Sequence, residues 1–287
     1  MKGPDIISVT AAQVGPLLPR RDRTAHKGDF GRVHIFGGSV GYTGAPVLAA
    51  LGALRTGAGL VYLSVPEDIY AIEAGRCLEA MPSPLPRGEA GIETAKRALA
   101  GKDAVLIGPG LGRSAWAEEL VLTLLEAAEC PVVLDADGLN AAAAHIDKLD
   151  GRDRPTILTP HEGEFVRLGG ELTLGREAAA RSFAAAHRCI LVLKGHETLT
   201  ALPGGTLLCN TTGNPGMATG GSGDVLAGMI LSLLGQGLAP ADAAPAAVWL
   251  HGCAGDLAAA ELGEYGMLPS DLAERIPYAI QCVIRNA

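Results

Sequence analysis

The sequence predicts a single α/β domain over residues 1–287, built in three layers with helices on both faces of a central, mostly parallel sheet. Three observations carry this. Short apolar runs recur without polar alternation. The runs end in Gly, Pro or Asp and give way to helical periodicity. Aromatic residues make up only 4% of the chain, while glycines number 39. Uninterrupted runs are what parallel strands covered on both faces require. Strand followed by helix, repeated, gives βαβ units, and small residues permit close helix-on-sheet packing. With 48% hydrophobic residues in 287, the chain can bury one sizeable core.

Taken in order, strands are expected at residues 33–36, 60–65, 104–107, 132–134, 156–158 and 190–193. A helix is expected over 45–56, because Val47, Leu51 and Leu54 recur on one face and Gly57 supplies a stop. The Pro-rich piece 81–87 (MPSPLPR) is expected to be a surface loop. Runs 198–202 and 206–210, separated by Pro203, Gly204 and Gly205, predict a hairpin at the sheet edge. Helices are expected over 224–234, 241–262 and 270–285.

Charge and composition exclude several classes. A net charge of -8 leaves no basic field for nucleic acid or an anionic membrane surface, so any phosphate must be met locally. The N-terminal stretch carries Asp5, Thr10 and Gln13 where a signal peptide would need an apolar run. The most apolar later stretch, 243–255, is broken by Pro245 and His251 and is too short to span a bilayer. A soluble, cytoplasmic protein is expected. The six cysteines lack C-x-x-C pairing and read as small buried hydrophobes.

The sharpest chemical signal is T-G-G-S-G-D at 219–224, followed at once by Val225, Leu226, Met229, Ile230 and Leu233. Glycines let successive N–H groups converge, and the following helix adds its positive dipole end, so the segment forms an anion hole for a phosphate or a phosphoryl transition state. Asp224 beside that hole repels the anion unless it takes a proton there, which fits a general base facing a substrate hydroxyl. The alternative is a carboxylate that merely caps the helix. Other phosphate motifs fail: Gly101-Lys102 is followed by Asp103, and Gly108-Pro109-Gly110-Leu111-Gly112-Arg113 has Arg where a dinucleotide fingerprint needs Gly. That glycine-rich stretch, including Gly110 and Gly112, is either a tight strand-to-helix turn or a ligand contact. Asp135, Asp137 and Asn140 either line the same cleft or cap a loop. His251, on an apolar helix, reads as a hydrogen-bonded core residue.

Five segments in order, KGDFGRVHIFGGSVGYTGAP, VLDADGLN, ILTPHEGEF, LVLKGHET and GNPGMATGGSGDVLAGMI, resemble the NAD(P)H-hydrate dehydratases of the ribokinase-like superfamily. The likeness runs from about Arg20 to the last helix. It implies a ribokinase-like αβα sandwich that restores hydrated NADH or NADPH at the expense of ADP, or of ATP, with Mg2+. By this resemblance Asp224 deprotonates the hydroxyl of the hydrated ring, the N–H groups of Gly221, Ser222 and Gly223 hold the transferring phosphoryl group, and Ala45, Gly110, Gly112 and His161 lie on the substrate side. Lys194, Gly195, His196, Glu197, Thr198 and Gly223 contact the adenine nucleotide; a solvated strand end is the alternative for Lys194. Glu164 organises magnesium through water. The resemblance also implies a homotetramer. Because the chain starts shortly before the pattern, a partner NAD(P)H-hydrate epimerase is expected on a separate polypeptide. A hydroxyethylthiazole or hydroxymethylpyrimidine kinase shares the G-S-G-D ending and is the rival.

Overall fold

The computed structural model describes residues 6–18 and 20–285. Ten strands form one sheet: β1 (Ile6–Ser8), β2 (Arg32–Phe36), β3 (Leu60–Pro66), β4 (Met81–Leu85), β5 (Ala104–Ile107), β6 (Val132–Leu134), β7 (Thr156–Leu158), β8 (Ile190–Leu193), β9 (Leu199–Ala201) and β10 (Leu207–Cys209). Their order is β1-β10-β9-β8-β7-β6-β5-β2-β3-β4. All neighbours pair in parallel except β9, which runs antiparallel to β8 and β10. The hairpin β9–β10 lies toward one end of the sheet, and β1 closes that end outside it.

The apolar runs alternate between two cores rather than between core and water. Ala104 and Leu106 face one side while Val105 and Ile107 face the other, and Ile190 and Val192 oppose Leu191 and Leu193 in the same way. One face is covered by helices Gly44–Thr56, Ser222–Gly235, Pro240–Leu262 and Pro269–Arg285. The other is covered by Glu89–Ala98, Ala115–Ala127, Asp137–Ala142, Glu162–Arg167 and Arg176–Ala186. This is the three-layer αβα arrangement expected from the sequence.

Helix Ser222–Gly235 is deeply buried, with Val225, Ala227, Met229, Ile230 and Leu231 fully enclosed. Each large apolar side chain contributes roughly 1.5–3 kcal/mol by leaving water, which fixes the helix axially. It crosses helix Gly44–Thr56 at contact distance: a Cβ on Gly228 would lie 1.9 Å from the Ala49 carbonyl, and one on Gly52 2.4 Å from that of Val225. Only hydrogen fits at either position, so glycine sets the spacing of the two helices.

Two expectations are corrected. Residues 81–85 are a strand, not a loop: β4 pairs in parallel with β3, with Leu63 opposite Pro82 and Val65 opposite Pro84. Prolines two apart miss their N–H groups on the same side, so both gaps face the open edge and Ser83 remains free to bond inward. They also blunt that edge against further pairing. Of the cysteines, Cys189 and Cys209 are buried, Cys77, Cys130 and Cys253 are half-buried, and Cys282 is exposed, because its position on an amphipathic C-terminal helix faces outward.

Candidate active site

Because β2, β5, β6, β7 and β8 are parallel, their carboxyl ends share one edge of the sheet, where open α/β folds bind ligands. From that edge issue Gly37–Gly38, the turn 108–112, Asp135, Thr159–Pro160–His161 and Lys194. The amino end of helix Ser222–Gly235 meets them: a Cβ on Gly223 would stand 3.1 Å from Lys194 Nζ.

Gly221 is the N-cap, with φ +103, a left-handed conformation suited to glycine. A side chain there would also strike Leu48 at 2.6 Å. The N–H groups of Gly221, Gly223 and Asp224 have no backbone acceptor among the described residues, as the first turn of a helix requires. Asp224 lies in that first turn, three residues after the cap. The capping alternative therefore falls, because Gly221 takes the cap position and no side chain bonds there. Burial and the neighbouring Asp135 push the Asp224 carboxyl up to about 7; Lys194 pulls it down, and Glu164 and Asp137 add to the rise. A carboxyl tuned to neutral pH is what a general base needs.

Lys194 is not a solvated strand end. Its side chain is only 19% exposed, and Nζ lies 2.9 Å from Asp135 Oδ1 and 4.0 Å from Glu164 Oε2. Burial works against its charge, but Asp135, Glu164 and Asp224 outweigh it and hold the ammonium above its ordinary value. Thr159 Oγ1 donates to the same Asp135 oxygen at 2.7 Å. Asp135 is thus a cleft residue, the counter-ion of Lys194. Asp137 and Asn140 bond instead toward the Gly112 turn. Asp137 accepts the Gly112 N–H at 2.9 Å and the Asn140 amide at 3.1 Å, while Asn140 accepts Arg167 Nε at 3.0 Å. Between the two aspartates Ala136 holds φ +51, a strained value for alanine.

His161 caps helix Glu162–Arg167. Its Nδ1 accepts the N–H groups of Gly163 (3.0 Å) and Glu164 (3.3 Å), and its own N–H donates to Glu164 Oε2 at 2.9 Å. With Nδ1 accepting, the neutral ring carries its proton on Nε2, and the exposed ring offers that donor to a ligand. The turn Gly110 packs on the amino end of helix Gly44–Thr56: its Cβ position would lie 3.0 Å from Ala45 Cβ, and Ser39 Oγ donates to the Gly110 carbonyl at 2.8 Å. Gly112 is next to Ser39 on the same wall. The structure thus gathers Ala45, Gly110 and Gly112 on one side and Lys194, Gly223 and Asp224 on the other.

Gly195, His196 and Glu197 form an exposed turn in which Gly195 has φ +154 and Glu197 φ +54. Thr198 Oγ1 donates to the Gly195 carbonyl at 2.9 Å. Arg176 grips the turn from below through the carbonyls of His196 (2.8 Å) and Leu193 (3.3 Å). Sequence reasoning did not identify Arg176; an arginine in a helix of alanines carries no local signal for a bond twenty residues away. His251 is a buried core histidine, as expected.

Among the described residues, no group of three or more His, Cys, Asp or Glu is gathered to ligate a metal, and no helix is long and apolar enough to cross a membrane.

The profile of the family described as NAD(P)H-hydrate dehydratase matches residues 33–278. The bifunctional NAD(P)H-hydrate repair enzyme of Moorella thermoacetica is 44% identical over 283 residues, covering 95% of this chain and 53% of that protein. The chain therefore spans about half the length of such curated relatives. An ADP/ATP-dependent NAD(P)H-hydrate dehydratase from Bacillus subtilis, co-crystallised with ATP and Mg2+, is similar at TM-score 0.84 and 34% identity, over 98% of this chain and 100% of that one. A ribokinase-like superfamily protein of Enterococcus faecalis is similar at TM-score 0.88 and 27% identity, over 99% and 98%.

Proposed function

The chain belongs to the NAD(P)H-hydrate dehydratase family, and from that premise we propose that it restores the S epimer of hydrated NADH or NADPH, converting ADP to AMP and phosphate. The observation that carries this is Asp224: a carboxyl raised to about 7 beside the unpartnered N–H groups of a helix start and the ammonium of Lys194.

The chemistry follows from a leaving-group problem. The hydroxyl that water adds to the nicotinamide ring leaves poorly. Asp224 takes its proton, and the oxygen then attacks the terminal phosphorus of ADP while the bond to the bridging oxygen breaks and AMP departs. The N–H groups of Gly221, Gly223 and Asp224 and the Lys194 ammonium hold the charge of the transferring group. The ring nitrogen then pushes the phosphorylated oxygen out as phosphate, and loss of a neighbouring proton restores the double bond. Ala45, Gly110, Gly112 and the Nε2 donor of His161 form the wall for the nicotinamide; Gly195, His196, Glu197 and Thr198 receive the adenylate.

Magnesium suits these residues only as an ion that arrives on the nucleotide. Glu164 keeps Oε2 on the His161 N–H, which leaves one carboxylate to reach such an ion through water, and Mg2+ commonly retains several waters. When bound it neutralises charge on the phosphates.

Assembly as a homotetramer in the cytoplasm, working alongside an NAD(P)H-hydrate epimerase, belongs to the same proposal. The exposed Tyr70, Ile72, Leu78 and Met81 beside the sheet edge are side chains a subunit interface would cover. The test is incubation with hydrated NADH, ADP and Mg2+. Return of the dihydronicotinamide absorbance with equimolar AMP and phosphate is expected. Phosphorylation of a thiazole or pyrimidine alcohol instead would replace this proposal with the kinase alternative.

A further inference from the structure

Helix Pro240–Leu262 lies along the glycine-rich segment 213–222 and holds it at both ends. At the far end His251 is buried, with Nε2 3.0 Å from the Ser222 carbonyl and 3.4 Å from Ser222 Oγ. A carbonyl oxygen only accepts, so Nε2 carries the proton and donates. Ser222 opens the helix that bears Asp224, two residues before it. At the near end, one oxygen of Asp256 accepts the Gly213 N–H at 2.9 Å and the other accepts Asn214 Nδ2 at 3.0 Å. Asn214 in turn accepts the Gly216 N–H at 3.0 Å and so caps the short turn Pro215–Met217. Between these anchors the helix presents glycines. A Cβ on Gly252 would lie 2.2 Å from Thr212 Oγ1, and one on Gly255 2.4 Å from the Met217 sulfur.

We propose that His251 and Asp256 are positioning residues for phosphoryl transfer, and that together they make helix Pro240–Leu262 a two-point template for the anion hole. Five residues apart, they stand ~7.5 Å apart along the helix axis, and the rigid helix fixes the separation of the two ends of a loop that glycines would otherwise leave mobile. The loop needs such support because a first helical turn lacks its own backward hydrogen bonds. Burial pushes the His251 imidazole down to about 4, with Lys194 adding to the fall, so the donor stays neutral and in place where Asp224 ionises. This rests on the proposed phosphoryl transfer, since it assigns the supports of that same loop.

The test compares His251→Gln, His251→Leu and Asp256→Ala by steady-state kinetics with hydrated NADH and ADP, by calorimetry with ADP and Mg2+, and by thermal melting. A displacement of about 1 Å at a reacting centre costs on the order of a hundredfold in rate. His251→Leu is expected to lose roughly tenfold to a hundredfold in kcat, with a smaller loss in ADP affinity. His251→Gln, which keeps an N–H of similar reach, recovers most of that loss. Asp256 is exposed, so Asp256→Ala keeps the fold and raises the ADP Kd and KM more than it lowers kcat. The proposal is overturned if Gln and Leu at 251 are equally impaired in step with lost melting temperature, which is core packing alone. It is equally overturned if Asp256→Ala matches the parent in kcat, KM and Kd. Should His251→Leu not fold, Asp256→Ala decides. Should the parent protein turn over no hydrate, the dehydratase proposal fails, while ADP affinity of Asp256→Ala still decides the template.

Discussion

Replacing Asp224 with Asn trades activity for stability, and the size of the trade can be worked from the site. The carboxyl stands at about 7 in the folded protein against 3.8 as a free group, chiefly through burial. Between those values the unfolded chain has released its proton and the folded one has not, so stability falls as pH rises from about 4 to 7. At 1.36 kcal/mol per pH unit the ceiling is about 4 kcal/mol. Asp224 is only half-buried, and solvent screening roughly halves that, to about 2 kcal/mol. For a chain of this length that is roughly 3 °C in Tm. The assay is thermal melting of both proteins from pH 4 to 8. The variant is expected to melt with the parent near pH 4 and above it by pH 8, while kcat falls by about 10²–10⁴. A Tm difference that does not vary with pH, or a variant less stable at pH 8, would mean that Asp224 is not held ionised at a cost for the sake of its chemistry.

Further outcomes follow from the same structure. The kcat/KM for hydrated NADH should climb with pH and level off above about 7, as Asp224 loses its proton; Asp135→Asn removes the adjacent negative charge and frees Lys194, so the acid limb of the pH profile should move to lower pH. Glu73 is fully buried with both carboxylate oxygens unpartnered, and burial pushes it up to about 7; Glu73→Gln should therefore raise Tm at pH 8 and not at pH 4, with activity retained. Gly228→Ala places a methyl 1.9 Å from the Ala49 carbonyl; it should cost about 1–3 kcal/mol by denaturant titration and lower kcat by shifting the helix that carries Asp224.

The interior of the fold was legible because its strands are short apolar runs buried on both faces. Residues 104–107, 132–134, 156–158 and 190–193 were placed without error. The ends of the sheet were not. Ile6–Ser8 is short and largely exposed, and Met81–Leu85 carries two prolines; each depends on a partner strand far away in sequence rather than on its own composition. Helix starts differed by one or two residues, since Gly44 and Ser222 are weak helix formers outside the apolar periodicity and are helical through packing. At the site, Asp224 and its glycines carry a local signal, a carboxylate set against an anion hole. Arg176, Asp256 and the Asp135–Lys194 pair carry none, because each acts across twenty to sixty residues of chain.

Whether the hydroxyl of the hydrated ring is phosphorylated before it leaves is read by labelling that hydroxyl with heavy oxygen, adding ADP, Mg2+ and the protein, and locating the label by mass spectrometry. Phosphoryl transfer by Asp224 and the 221–224 loop puts one labelled oxygen in the released phosphate. Label recovered in water, with unlabelled phosphate, would contradict it.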